Sequence, residues 1–432
     1  MKRVICDFEK KCGRIKPQHG IVNYPPNLYY PDFAIDAADA QRAIEIFDEI
    51  NVPLIRFKEP NSKGYGKCVE VPFIFRDFSK DENDPENYYF YNTNTFVSDG
   101  AKPGRTMIYR LGAPREYWNS RYNKKPADYE KFATVCVNII RHFNQGWGKG
   151  MKAGITHWEI WNRADETLCW PDGTAEDYYR LYETVARKIK EAFPWLKVGG
   201  PAAAFCDGDN AFLKGFLAYV KEHGVPCDFV TWNYWGEDPA EAYRQAKAVR
   251  EAVRDAELPR RVGIYNDEWN CMTIGTHGFL QVPHVRDVQG GAFAAAFMIG
   301  MQKTHMDGAT YYEADMDMPV GGLVGQCRKR PLPALYALQG FSRLYRLGTC
   351  AKTSTAGRNV YALAAAGEEK KAILISVYED KHNAIEIRTG VRGEKRVRLL
   401  DREHDFEEVL VTSDEAFTVK SKGFCVISVE IV

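Results

Sequence analysis

The chain has 432 residues, of which 45% are hydrophobic and 27% charged, enough for one large core and a small companion domain. Its 58 basic and 58 acidic residues cancel, so nothing electrostatic recommends nucleic acid or an anionic membrane as partner, and a neutral substrate fits better. No run of 18 apolar residues occurs, which argues against a spanning helix.

The opening residues, MKRVICDFEKKCGRIK, lack the apolar stretch and cleavage site of a signal peptide. Eleven cysteines are scattered without a CxxC pair or metal-ligand spacing, as expected of reduced, buried thiols in a cytoplasmic protein.

Through the first 320 residues, short β-branched or aromatic runs alternate with stretches of helical spacing, the pattern of βα units around a parallel sheet. The strand runs are HGIVNY (19–24), VPLIRF (52–57), TMIYRL (106–111), ITHWEIW (155–161), KVGGP (197–201), DFVTWNY (228–234), RVGIYND (261–267) and ATYYEA (309–314). Eight is the number of a (β/α)8 TIM barrel. Between them, Tyr129, Phe132, Cys136, Ile139 and Phe143 line one helical face, and Tyr178, Tyr182, Val185 and Ile189 another. Leu335, Leu338, Phe341 and Leu344 mark the last barrel helix. From about residue 350 short strand runs take over (VYALAAA, AILISVY, AIEIR, RVRLL, FTVK, FCVISVEI), predicting a small antiparallel β-sandwich. The expected domains are a catalytic barrel over 16–346 and the sandwich over 347–432, completed by a strand from 1–15.

In such a barrel the catalytic side chains stand at the C-terminal ends of strands. The fourth strand ends WEIWNRADE (158–166) and the seventh IYNDEWN (264–270). With HGIVNYPP (19–26), IFRDFSKDENDPENYYFYNTNTFV (74–97), YRLG (109–112), WEIWN (158–162), DEWN (267–270) and PLPALYAL (331–338), the chain resembles glycoside hydrolase family 39, the group of β-xylosidases and α-L-iduronidases. The resemblance implies a retaining glycosidase, in which one carboxylate attacks the anomeric carbon and a second carboxyl, about 5 to 5.5 Å away, protonates the leaving oxygen.

Glu268 matches the family's nucleophile. The position of its acid/base is Arg163, where the family motif reads Trp-Asn-Glu; a guanidinium neither gives up nor takes a proton at working pH. Lys58 and Asn233 also depart from the family pattern, on strands expected to face one another, as though the site had been rebuilt as a unit. Three readings of Arg163 stay open. Another carboxyl, from Glu59, Asp165, Glu166 or Glu313, supplies the proton; or Arg163 grips an anionic group such as a uronate; or hydrolysis is lost and sugar binding kept. The leading expectation is thus a retaining, exo-acting hydrolase removing a terminal sugar, and the alternative is a catalytically silent carbohydrate-binding relative.

Asn162 matches the asparagine that holds the sugar 2-hydroxyl, and Tyr234 a tyrosine that hydrogen-bonds the nucleophile. Lys58, Asn233, His157, Trp269 and Tyr312 complete the expected substrate contacts, within an aromatic set that also includes Trp161, Trp170, Trp232, Trp235 and Tyr311. Glu159, mid-strand, is expected in an interior ion pair with Arg56 or Arg110. His19, His157 and His284 have no metal-ligand spacing, and the Gly199-Gly200 and Gly321-Gly322 pairs no nucleotide-loop pattern, so no metal or cofactor is expected. The segment 58–105 reads as a pocket wall or as the contact of a homo-oligomer.

Overall fold

The computed structural model describes residues 2–25, 36–59, 66–116, 121–204, 206, 210–274, 280–314, 320–325 and 328–432. After an N-terminal strand, β1 (Lys2–Arg14), come β2 (Gly20–Val22), β3 (Leu54–Phe57), β4 (Thr106–Leu111), β5 (His157–Ile160), β6 (Lys197–Ala203), β7 (Phe229–Gly236) and β8 (Gly263–Cys271). The pairs β9 (Thr273–Ile274) and β10 (Leu280–Gln281) form a small ribbon, and β11 (Gly308–Tyr311) follows. Strands β2 to β8 pair in parallel, each with the next, and β11 closes the ring between β8 and β2. This is the (β/α)8 barrel that the eight strand runs foretell. Because each strand is covered on both faces, the runs read as nearly continuous apolar stretches.

The helices around it are α1 (Ala37–Ile50), the short α2 (Val71–Ile74) and α3 (Tyr91–Gly100), then α4 (Tyr129–Gln145), α5 (Ala175–Ala192), α6 (Ala211–His223), α7 (Pro239–Asp255), α8 (Val288–Lys303) and α9 (Pro333–Leu347). Asp36, Asp128, Asn210, Asp238 and Asp287 start α1, α4, α6, α7 and α8 by accepting first-turn amides, and Thr174 with Asp177 forms a capping box on α5. The apolar faces foreseen for α4, α5 and α9 lie against the core. Helix α8 is buried from Gly290 to Gln302 without a polar face, because it lies between the barrel and a second sheet. Phe297 stacks on Trp269 of β8, and Ser376 of the second sheet donates to the Ala292 carbonyl at 2.7 Å.

That sheet has nine strands. Beside β1 it contains β12 (Thr349–Ala356), β13 (Val360–Ala366), β14 (Lys371–Val377), β15 (His382–Arg388), β16 (Lys395–Leu400), β17 (Asp405–Thr412), β18 (Ala416–Lys422) and β19 (Cys425–Ile431), in the order β17-β16-β19-β14-β13-β12-β1-β15-β18. All neighbours are antiparallel except β1 with β15. Val4, Cys6 and Phe8 of β1 join Ile373, Ile375, Ile427 and Val429 in its separate apolar core. Among the described residues no helix is long and apolar enough to cross a membrane.

Candidate active site

The site is built around one guanidinium. Arg56, in β3, is 0% exposed and donates Nε to Glu159 at 2.8 Å, Nη1 to Glu268 Oε2 at 3.0 Å and Nη2 to Asn162 at 2.7 Å. Its Nη2 also lies 3.0 Å from an Asp267 oxygen. A lone arginine in that interior would be prohibitively costly; three carboxylates raise its already high pKa against burial. Glu159 therefore takes the ion-pair part expected of it, with Arg56. Arg110 instead forks onto Glu70.

Two consecutive residues of β8, Asp267 and Glu268, both reach this guanidinium, which strict strand alternation forbids. The register explains it. Trp232 of β7 faces Asn266, but the next residue, Asn233, faces Glu268, and toward β11 the ladder likewise steps from Asn266 to Trp269 over one fewer residue. Asp267 is the extra residue of a bulge, a device that re-aims side chains beside functional sites. Asn233 donates to Asp267 at 2.8 Å. Burial, with Glu159 and Glu268 close by, lifts the Asp267 carboxyl well above its usual range despite Arg56.

Glu268 is fully buried. Its Oε2 also accepts from Lys58 Nζ at 3.1 Å, while Oε1 has no hydrogen-bond partner among the described residues. Burial works against its charge, but Lys58, Arg56 and Arg163 together hold the carboxyl below its ordinary value. Lys58 Nζ lies 3.2 Å from Glu59 as well, and 5.0 Å from the Tyr312 ring centre. One ammonium thus bridges Glu59 and Glu268, and their nearest oxygens lie within two such contacts of each other.

Arg163 is held in the left-handed region, φ +54°, as is Trp161 at +65°. Such backbone costs on the order of 1–3 kcal/mol per non-glycine residue and concentrates at functional sites. The Arg163 guanidinium lies 4.1 Å from the Trp235 ring centre and its Nε 2.9 Å from Glu166. Arg115, just past β4, reaches the same carboxylate and the same indole, the latter at 5.8 Å. Trp235 stacks on Tyr312 with centroids 5.8 Å apart.

Of the remaining candidate acids, Asp165 accepts the Ala204 amide at 2.9 Å and Glu313 accepts from Asn23 at 2.9 Å. Asn23 also receives the Lys58 backbone amide, at 3.2 Å. Three expected contacts are corrected. Tyr234 does not reach Glu268; it alternates outward from Asn233, donates to the Asp238 carbonyl at 2.8 Å and stacks on Phe293 of α8. Trp269, one residue past Glu268, points to the same layer and stacks on Phe297 at 4.1 Å. His157 opens β5, so it lies at the far end of the barrel among Phe229 and Tyr265, where burial lowers its pKa to about 4. Trp161, Trp170 and Tyr311 also pack between barrel and helices. Of the aromatic set, Trp235 and Tyr312 are the two with contacts to the charged side chains of the site. Arg115 and Asp267 went unrecognised as site residues in the sequence; the adjacent Asp-Glu pair at a strand end was the available signal for the second. His284 pairs with Asp287, and no metal-ligating cluster occurs among the described residues.

The family model for glycosyl hydrolases family 39 matches residues 93–312. The chain belongs to that family. It is 25% identical over 306 residues to a β-xylosidase of Geobacillus stearothermophilus, covering 62% of this chain and 56% of that one. It is 30% identical over 162 residues to a β-xylosidase of Caldicellulosiruptor saccharolyticus, covering 34% and 31%. The chain spans about half the length, or less, of these relatives. Among solved structures, a glucosidase from Croceicoccus marinus superposes with a TM-score of 0.77 at 24% identity, covering 100% of this chain and 99% of that one. A family 39 β-xylosidase from Caulobacter crescentus does so with 0.71 at 17%, covering 99% of both. At these identities the likeness is one of fold.

Proposed function

We propose that the protein is a retaining, exo-acting glycoside hydrolase of β-xylosidase-like substrate class, with Glu268 as its nucleophile. The observation that carries this reading is the asymmetry of the Glu268 carboxylate. Oε2 is fixed by Arg56 and Lys58, whereas Oε1 accepts no hydrogen bond from the described residues and keeps its lone pairs for an anomeric carbon. The cations keep the group ionised as a nucleophile must be, and pinning one oxygen orients the other before substrate arrives. Asn162, positioned by the same guanidinium, holds the sugar 2-hydroxyl, where a hydrogen bond strengthens as charge develops on the ring.

Arg163 cannot serve as the acid. Among the carboxyls near strand ends, Glu59 is the one tied to the same ammonium as Glu268, and it takes the proton-handling role. Glu166 is engaged by two guanidinium groups, Asp165 by the Ala204 amide just past β6 and Glu313 by Asn23, while Glu59 accepts the Arg115 amide at 2.9 Å beside its contact with Lys58.

The test is turnover of 4-nitrophenyl and 2,4-dinitrophenyl pentosides and hexosides by the wild type and Glu268→Gln, with mass spectrometry of the enzyme trapped by a 2-fluoro glycoside. Expected are turnover by the wild type, loss of about 10⁴-fold or more in the variant, and a glycosyl adduct on the peptide carrying Glu268. A wild type that binds sugars in calorimetry yet cleaves none of the panel would sink the proposal and leave the silent carbohydrate binder.

A further inference from the structure

We infer that Cys12 and Cys350 form a reversible disulfide, made and broken by exchange with a small-molecule disulfide, that fastens the strand entering the barrel to the strand leaving it. The pairing of β1 with β12 places the two thiols. Lys11 stands opposite Ala351 and Arg14 opposite Thr349, so that Cys12 and Gly13 together face Cys350 across a bulge. Gly13, at φ +100°, supplies the positive backbone angle there. Facing residues of antiparallel strands hold their Cα atoms about 4.5–5.5 Å apart, inside the roughly 4.4–6.8 Å that a disulfide spans. The two side chains act on each other directly.

The pair also divides the work of exchange between an open and a sheltered thiol. Among the described cysteines Cys12 is the exposed one, and Cys350 is buried. A small disulfide therefore meets Cys12 first, and Cys350 is reached from Cys12. Burial, and Cys12 beside it, push the Cys350 thiol up to about 11, so it is slow to react by itself. The Lys303 ammonium at the end of α8 acts on Cys350, Cys12 and Cys6 together and favours the thiolates that exchange requires.

The steps balance. The Cys12 thiolate attacks one sulfur of the small disulfide, a mixed disulfide forms, and the other half leaves as a thiolate that takes up a proton. The Cys350 thiolate then attacks the Cys12 sulfur and expels the second half. Two cysteine thiols are oxidised and one small disulfide is reduced to two thiols. The bond would close a loop around the whole barrel, where the chain ends of that barrel already run side by side: the Ile15 amide donates to the Gly348 carbonyl at 2.8 Å, and Gln302 of α8 accepts from the Lys16 amide at 2.8 Å and donates to the Arg14 carbonyl at 2.9 Å. Limiting the unfolded chain over so long a loop stabilises the fold.

The experiment treats the reduced full chain with glutathione disulfide, quenches with acid, alkylates under denaturing conditions and maps the peptides by mass spectrometry, beside thermal unfolding. Expected are two fewer alkylated thiols, a peptide pair joining Cys12 to Cys350, and a midpoint raised by about 2 °C or more, all reversed by dithiothreitol. Cys12→Ser, at an exposed position, is expected to lose both the bond and the shift. A chain that stays fully reduced, stops at a glutathione adduct on Cys12, dimerises through Cys12 or joins Cys12 to a cysteine other than Cys350 overturns the inference. So does a midpoint shift that survives in Cys12→Ser.

Discussion

Replacing Lys58 by methionine keeps the length of the side chain and removes its charge. The ammonium is 3.1 Å from Glu268 Oε2, and the two side chains are 3% and 0% exposed. At an effective dielectric of about 20 a contact of this length carries about 5 kcal/mol of attraction, part of which is offset by the cost of burying Lys58. Arg56 keeps its own bond to the same oxygen, so the carboxylate does not lose all its support. At 1.36 kcal/mol per unit, losing one of two close cations raises the Glu268 pKa by about 1–3 units. The direction follows from the state that works. Glu268 attacks as the carboxylate, its pKa in the folded protein is depressed, and activity falls as pH drops through that value. A raised pKa therefore moves the acid limb of the kcat/KM profile to higher pH by about 1–3 units. The profile is recorded on a dinitrophenyl glycoside, with urea unfolding at each pH to confirm a folded variant. An acid limb that stays in place, or moves down, in the folded variant would refute the electrostatic account of Glu268.

Glu70→Ala strips the buried Arg110 of its forked partner, and urea unfolding is expected to show a loss of about 3–5 kcal/mol; a change under 1 kcal/mol would mean that water takes the carboxylate's place. Gly199→Ala puts a Cβ 2.3 Å from the Phe229 carbonyl between β6 and β7, too close for those strands to stay paired, so about 1–3 kcal/mol or more is lost. His157→Phe is expected to leave glycoside kinetics unchanged, because the ring lies at the opposite end of the barrel. It alters the pH dependence of stability. Burial lowers the His157 pKa to about 4 from 6.5, so the unfolded chain binds the proton first as pH falls. The stability of the neutral ring is complete above about 6.5 and is lost down to about 4, at most roughly 3 kcal/mol. The phenylalanine variant should show a flatter fall across that window in urea unfolding, and an equal fall in both proteins would count against it.

The barrel was legible because apolar runs and helical stripes repeat in register; Glu268, Arg163 and Lys58 stood out as candidates because they lie where strands stop, at positions that the family resemblance marks. What failed was the facing of side chains. Tyr234 and Trp269 sit beside Asn233 and Glu268 in the chain, yet alternation sends them to the helix layer, and the bulge that turns Asp267 and Glu268 the same way is a property of three paired strands. No single strand carries it. His157 was avoidable: it begins its strand, and the rule that found Glu268 assigns strand starts to the other end. Strands β12 and β17 escaped because few of their positions are buried: TCAKTSTA is mostly polar, and the VLV of DFEEVLVT is short and stands largely exposed at the sheet edge.

The departures from the family pattern sort into two groups once they are placed. Lys58, just past β3 across the barrel, and Asn233, in the adjoining β7, bind the Glu268–Asp267 pair, Lys58 holding the carboxylate and Asn233 the bulged residue beside it. Arg163 instead belongs with Arg115, Glu166 and Trp235, a wall with its own charge balance. Putting glutamate at 163 would set a second carboxylate beside Glu166 and remove one of the two guanidinium groups that reach it, so a single exchange does not restore an ordinary acid/base. Arg163 shares its carboxylate and its indole with a second arginine, an arrangement that a single lesion in an otherwise ordinary hydrolase would lack.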